Sequence, residues 1–109
     1  MPYAETFVPE TLSRAEVEAT HGPLVLEFGT NWCGHCQGAQ PSVQAVLADS
    51  AVPLVKVEDG SGRPLGRSFR VKLWPTLIFL KDGQEVARVV RPGDAATLAQ
   101  AFRALPVQQ

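Results

Sequence analysis

Two short apolar runs constrain the fold more than any other feature of the chain. They are "LVLEF" (Leu24 to Phe28), with Glu27 inside it, and "PLVKVED" (Pro53 to Asp59), with Lys56 at its centre. Runs that are apolar without alternation are expected of strands buried on both faces. Between them, "GHCQGAQPSVQAVLAD" (Gly34 to about Asp49) reads as a helix with Val43, Val46 and Leu47 inward. Pro41 falls inside it, where a bend is expected. Two strands separated by a helix argue for a parallel pair with a right-handed crossover.

The remaining segments add to that frame. A helix from about Thr11 to Thr20, capped by Thr11 or Ser13, is closed by the breakers His21-Gly22-Pro23. A short helix is expected over Pro64 to Phe69. "TLIFL" (Thr76 to Leu80), "KDGQ" and "EVARVV" (Glu85 to Val90) form strand, turn and strand. "GDAATLAQAFRAL" (Gly93 to Leu105) closes the chain as an amphipathic helix with Leu98, Phe102 and Leu105 on one face. The order predicts an α/β fold of three layers.

The chain has 109 residues, enough for a single domain over 1–109 with one core. Its net charge of −1 and pI near 6.1 give no electrostatic case for nucleic acid or anionic membrane. "MPYAETFVPE" has no basic segment followed by an apolar run, and no stretch approaches a membrane span. The expected compartment is the cytoplasm; a periplasmic or secreted location would need a removed leader. A monomer is expected.

Both cysteines lie in "EFGTNWCGHC" (Glu27 to Cys36). Two cysteines cannot build a multi-bridge framework. A structural zinc usually takes four ligands, and His35 between the cysteines is poorly placed to join them, with only His21 left over. No metal or separate cofactor is therefore expected. A thiol pair at a strand-to-helix junction suits redox chemistry. The attacking species is the thiolate, and a helix N-terminus sets N–H groups and positive dipole against the first sulfur. Cys33 is expected to attack, while Cys36, one turn in, stays a thiol until it resolves the mixed disulfide.

His35 is read in two ways, as a solvated residue of the first turn or as a partly protonated neighbour that favours the dithiol and makes the disulfide a better oxidant. Glu27 in an apolar strand costs heavily unless neutral or paired, and Lys56 is its natural partner. The rival readings are a frayed edge for Glu27 and a strand-end lysine reaching water for Lys56. Trp32 and Trp74 are candidates for an apolar docking rim around the thiols, with core packing the rival for Trp74. Pro75, read alone, is a strand-start proline.

"FGTNWCGHC", Pro41 in the following helix and "WPTLIFLKDG" resemble the thioredoxin family over nearly the whole chain. The resemblance implies the thioredoxin fold: a mixed sheet of four or five strands with helices on both faces. Cys-Gly-His-Cys and Glu27 resemble the catalytic domains of protein disulfide isomerase, since thioredoxins carry Cys-Gly-Pro-Cys and Asp. By resemblance, Cys33 is the nucleophile, Cys36 the resolving thiol and Glu27 the relay for the proton that Cys36 loses. Pro75 matches the family's cis-proline, which offers backbone to an extended substrate.

Three positions depart from the pattern. Gly29 stands where an aromatic ring is common, and its loss should leave space or admit another side chain, with Trp74 a candidate. Gln37 replaces a cation that usually follows the second cysteine. Arg91 stands where thioredoxins have a glycine in the docking loop, and a long cation there is expected to narrow the groove or select an acidic partner.

Together these features predict a protein-disulfide oxidoreductase, a reductase in a reducing compartment, working with protein substrates and a recycling partner. Its potential should be more oxidising than thioredoxin's. The alternatives are a peptide-binding module on the same fold with little or no turnover, and an oxidase or isomerase outside the cytosol.

Overall fold

A computed structural model describes residues 6–9 and 12–105. Among these residues four strands, β1 (Pro23–Gly29), β2 (Leu54–Glu58), β3 (Thr76–Lys81) and β4 (Gln84–Val90), form one sheet in the order β2-β1-β3-β4. β1 and β2 are parallel, joined through helix α2 (Gly34–Leu47), while β3 runs antiparallel to both β1 and β4. Helices α1 (Arg14–Glu18), α3 (Pro64–Ser68) and α4 (Ala95–Phe102) complete the fold.

The pleat sorts β1 between two cores. Leu24, Leu26 and Phe28 pack with Val17 of α1 and with Leu65 and Phe69. Val25 packs with Val43 and Leu47 of α2 and Leu98 of α4. Successive side chains alternate, so Glu27 and Gly29 share the α2 side with Val25. The same alternation sends Val55 and Val57 of β2 to the α1–α3 side and leaves Lys56 facing α2. The sheet is thus a middle layer; β1 is buried on both faces, while β2, at the sheet edge, is buried at Lys56 and Val57 and partly buried elsewhere.

The hairpin turn at Asp82-Gly83 has φ of 51° and 79°, the pair of positive angles that an Asp-Gly turn supplies between twisted strands. α1 is shorter than its sequence pattern. Ser13 caps it through a reciprocal bond with Glu16, which sets the start at Arg14, and Thr11 lies outside the described residues. α4 begins at Ala95 because the Asp94 side chain accepts from Thr97 N. α2 runs on through Pro41, with Val43 and Leu47 buried and Val46 partly so. Val8 makes one isolated parallel bridge to Val57, laying the 6–9 segment along the edge of the sheet at β2.

Candidate active site

The thiols sit where β1 passes into α2. Cys33 is the N-cap of α2, and its Sγ accepts a hydrogen bond from Cys36 N at 3.3 Å. The sulfur therefore meets backbone N–H groups at the positive end of the helix. Cys33 is 8% exposed and Cys36 1%; both thiols are free. Burial, and next the hydrogen bond to Cys33, push the Cys36 thiol up from 9.0 to about 12, while the Thr30 backbone N–H pulls the other way. One sulfur caps the helix N-terminus; the other is held as a thiol behind it.

Behind Cys36 lies a buried polar cluster. Glu27 and Lys56 are register partners across the parallel pair and are 0% and 2% exposed. This excludes both the frayed edge and the lysine that reaches water. Lys56 Nζ stands 3.9 Å from Glu27 Oε1, and Gln40 bridges them. Gln40 Nε2 donates to Glu27 Oε2 at 3.0 Å and to the Cys36 carbonyl at 2.9 Å, while its Oε1 accepts from Lys56 Nζ. Burial raises the Glu27 carboxyl above its ordinary 4.5, against the opposing pull of Lys56 and of the Gln40 bond. Among the described residues Glu27 Oε1 has no hydrogen-bond partner. A carboxyl with a raised affinity for protons and an oxygen not engaged in a hydrogen bond among the described residues is chemically able to take one up.

The space at Gly29 is filled by Phe7, not by Trp74. A Cβ at Gly29 would lie 2.6 Å from Cys36 Sγ and 2.9 Å from Phe7 Cζ. Phe7 is buried against Cys33 and Cys36. It is fixed by Asn31, whose Oδ1 accepts from Phe7 N at 2.8 Å and whose Nδ2 donates to Phe7 O at 3.0 Å.

Trp74 falls between the two readings given to it. It is half-buried against the Phe7 and cysteine cluster, its Nε1 donates to Asp59 Oδ2 at 2.8 Å, and its ring meets Trp32 edge-on at 5.7 Å. Trp32 is 74% exposed. The Trp74–Pro75 peptide bond is cis. Arg91 has a φ of 49°, the left-handed backbone that glycine adopts most readily, and its Nε donates to the Trp74 carbonyl at 2.9 Å. His35 and Gln37 are exposed on the first turn of α2, and Gln37 Nε2 donates to Asn31 O. His21 is exposed beside the hairpin turn, away from the thiols.

Among the described residues no group of three or more His, Cys, Asp or Glu could hold a metal ion, and no helix is long and apolar enough to cross a membrane. Four contributors escaped the sequence reading: Phe7, Asn31, Gln40 and Asp59. Gln40 alone carried a usable signal, because it lies four residues after Cys36 and so shares its helix face.

The family model described as Thioredoxin matches residues 6–104. Thioredoxin from Mycobacterium tuberculosis is 32% identical over 94 residues, 84% of this chain and 81% of that protein. Human protein disulfide-isomerase A2 is 37% identical over 90 residues, which is 76% of this chain but 17% of that protein. Among solved structures, reduced thioredoxin 2 from Pseudomonas aeruginosa PAO1 superposes with a TM-score of 0.83 at 54% identity, covering 94% of this chain and 95% of that one. With the cysteine pair placed where β1 meets α2, these matches show that the chain belongs to the thioredoxin family and is a thiol–disulfide oxidoreductase.

Proposed function

We propose that the chain reduces protein disulfides by exchange at Cys33. The observation that carries this reading is the division of labour between the sulfurs, one at the helix N-terminus and the other buried with its thiol raised to about 12. The Cys33 thiolate attacks one sulfur of a substrate disulfide. The substrate S–S bond breaks, a mixed disulfide forms, and the other substrate sulfur leaves as a thiolate. Cys36 then loses its proton to the Glu27 carboxylate and attacks the Cys33 sulfur. The second substrate sulfur is released, leaving substrate dithiol and a Cys33–Cys36 disulfide.

Within this scheme Gln40 and Lys56 are positioning residues. They hold Glu27 and the Cys36 carbonyl in one network, and their pull on the carboxyl limits how far its affinity for protons rises. Trp32, Trp74 and the backbone at Pro75 form the rim against which an extended substrate lies, with Arg91 at its margin. His35 biases the couple toward the dithiol, giving a potential between those of thioredoxin and the isomerase. A reducing cytoplasm and a dedicated recycling reductase suit this role.

The test is a pair of substitutions. Cys33→Ser should abolish turnover of a protein disulfide, and Cys36→Ser should trap a mixed disulfide that survives non-reducing electrophoresis. If Cys33→Ser leaves function intact, the site acts as a peptide-binding module instead.

A further inference from the structure

Four of the ten Lys and Arg residues, Arg63, Arg67, Arg70 and Lys72, fall between positions 63 and 72, a span with no Asp or Glu. In a chain of net charge −1 this is a local excess of positive charge, and the fold gathers it at one place. All four line a groove of about 400 Å³ between α3 and the segment leading to Pro75. Arg63 is drawn to Glu58 at 3.6 Å. Arg67, Arg70 and Lys72 are exposed and make no ion pair or side-chain hydrogen bond among the described residues. The carboxylate in the groove, Asp59, accepts from Trp74 Nε1.

Trp74 joins this groove to the thiols. Its ring forms one wall of the groove, while it also packs against the Phe7 and cysteine cluster and meets Trp32 edge-on. A chain lying on the tryptophan rim with a sulfur at Cys33 has this groove as a direct continuation. Resting on the exchange reaction proposed above, we propose that the groove docks an acidic segment of the protein whose disulfide is exchanged at Cys33. Solvated cations add little per pair. Three lining one groove, without an ion pair among the described residues, suit a run of carboxylates, where the contributions add and a complementary field speeds encounter. A small anion would engage one or two of them and be held weakly.

The test uses two synthetic peptides with the same disulfide core, one flanked by glutamates and one by glutamines. Cysteine-free versions carrying serines are titrated against the full chain by tryptophan fluorescence. At low salt the acidic serine peptide should bind about tenfold more tightly than the neutral one. The preference should fall toward unity in 0.5 M salt, and in the triple variant Arg67→Gln/Arg70→Gln/Lys72→Gln.

Equal binding of the two peptides by the wild-type chain overturns the proposal. So does inorganic phosphate binding as tightly as the acidic peptide, which would make this a small-anion site. The disulfide versions are followed separately. The acidic one should be reduced faster, with the same salt and variant dependence. If neither is reduced while the acidic serine peptide still binds selectively, the exchange reading fails and the groove stands.

Discussion

Gly29 lies so close to Cys36 that any side chain at position 29 would occupy the volume of the Cys36 sulfur. A Cβ there would be 2.6 Å from Sγ with Phe7 behind it, and a packed interior yields little. Gly29→Ala should therefore destabilise the protein by about 1–3 kcal/mol. Gly38, in α2 with no tertiary neighbour among the described residues within 4 Å of a Cβ, should do the opposite: Gly38→Ala should stabilise by about 0.5–1 kcal/mol. Urea denaturation of the two variants reads both signs. A neutral Gly29→Ala would show that Phe7 and the sulfur are free to move aside.

Arg91 ties its guanidinium to the carbonyl of Trp74, the residue before the cis-proline. Its φ of 49° costs about 1 kcal/mol for a residue with a Cβ. The exposed hydrogen bond returns about as much. Arg91→Gly should leave stability within about 1 kcal/mol and speed exchange with extended neutral peptides about two- to fivefold, because the Trp74 carbonyl becomes free. Stopped-flow kinetics on such a peptide checks this, and slower exchange would mean that Arg91 itself holds substrate.

Glu27 gives a pH dependence with a definite sign. Its folded-state carboxyl titrates above the ordinary 4.5. The stability it contributes is therefore complete below pH 4.5 and is lost as pH rises through the folded value. Lys56 and Gln40 both oppose the shift, Lys56 more strongly. Carbon-detected NMR titration should find the Glu27 carboxyl lowest in the wild type, higher in Gln40→Leu and highest in Lys56→Met. A lower value in Lys56→Met would rule out the electrostatic account of the cluster.

The sequence carried the fold because β1 and β3 are buried on both faces, and β2 packs apolar side chains on both, and their composition shows it. The hairpin was equally plain from Asp82-Gly83. At the site, Cys33 and Cys36 were legible through spacing, and Glu27 and Lys56 because a charge in an apolar strand demands a partner. Phe7 and Asn31 were not legible. Their contact joins two segments through a side-chain bond to backbone, and no local pattern announces such a bond. The groove was half visible: the run of cations stands in the sequence, but only the fold sets it against Trp74.

His35 should make this couple more oxidising than a thioredoxin's. The direct measurement is the reduction potential of Cys33–Cys36 in glutathione buffers, in the wild type and in His35→Pro. The wild-type value should fall between about −270 mV and about −180 mV, the levels of thioredoxin and the isomerase. His35→Pro should move it down by at least about 30 mV, equivalent to about 1.4 kcal/mol. A wild-type value at or below about −270 mV, unchanged by His35→Pro, would contradict the account.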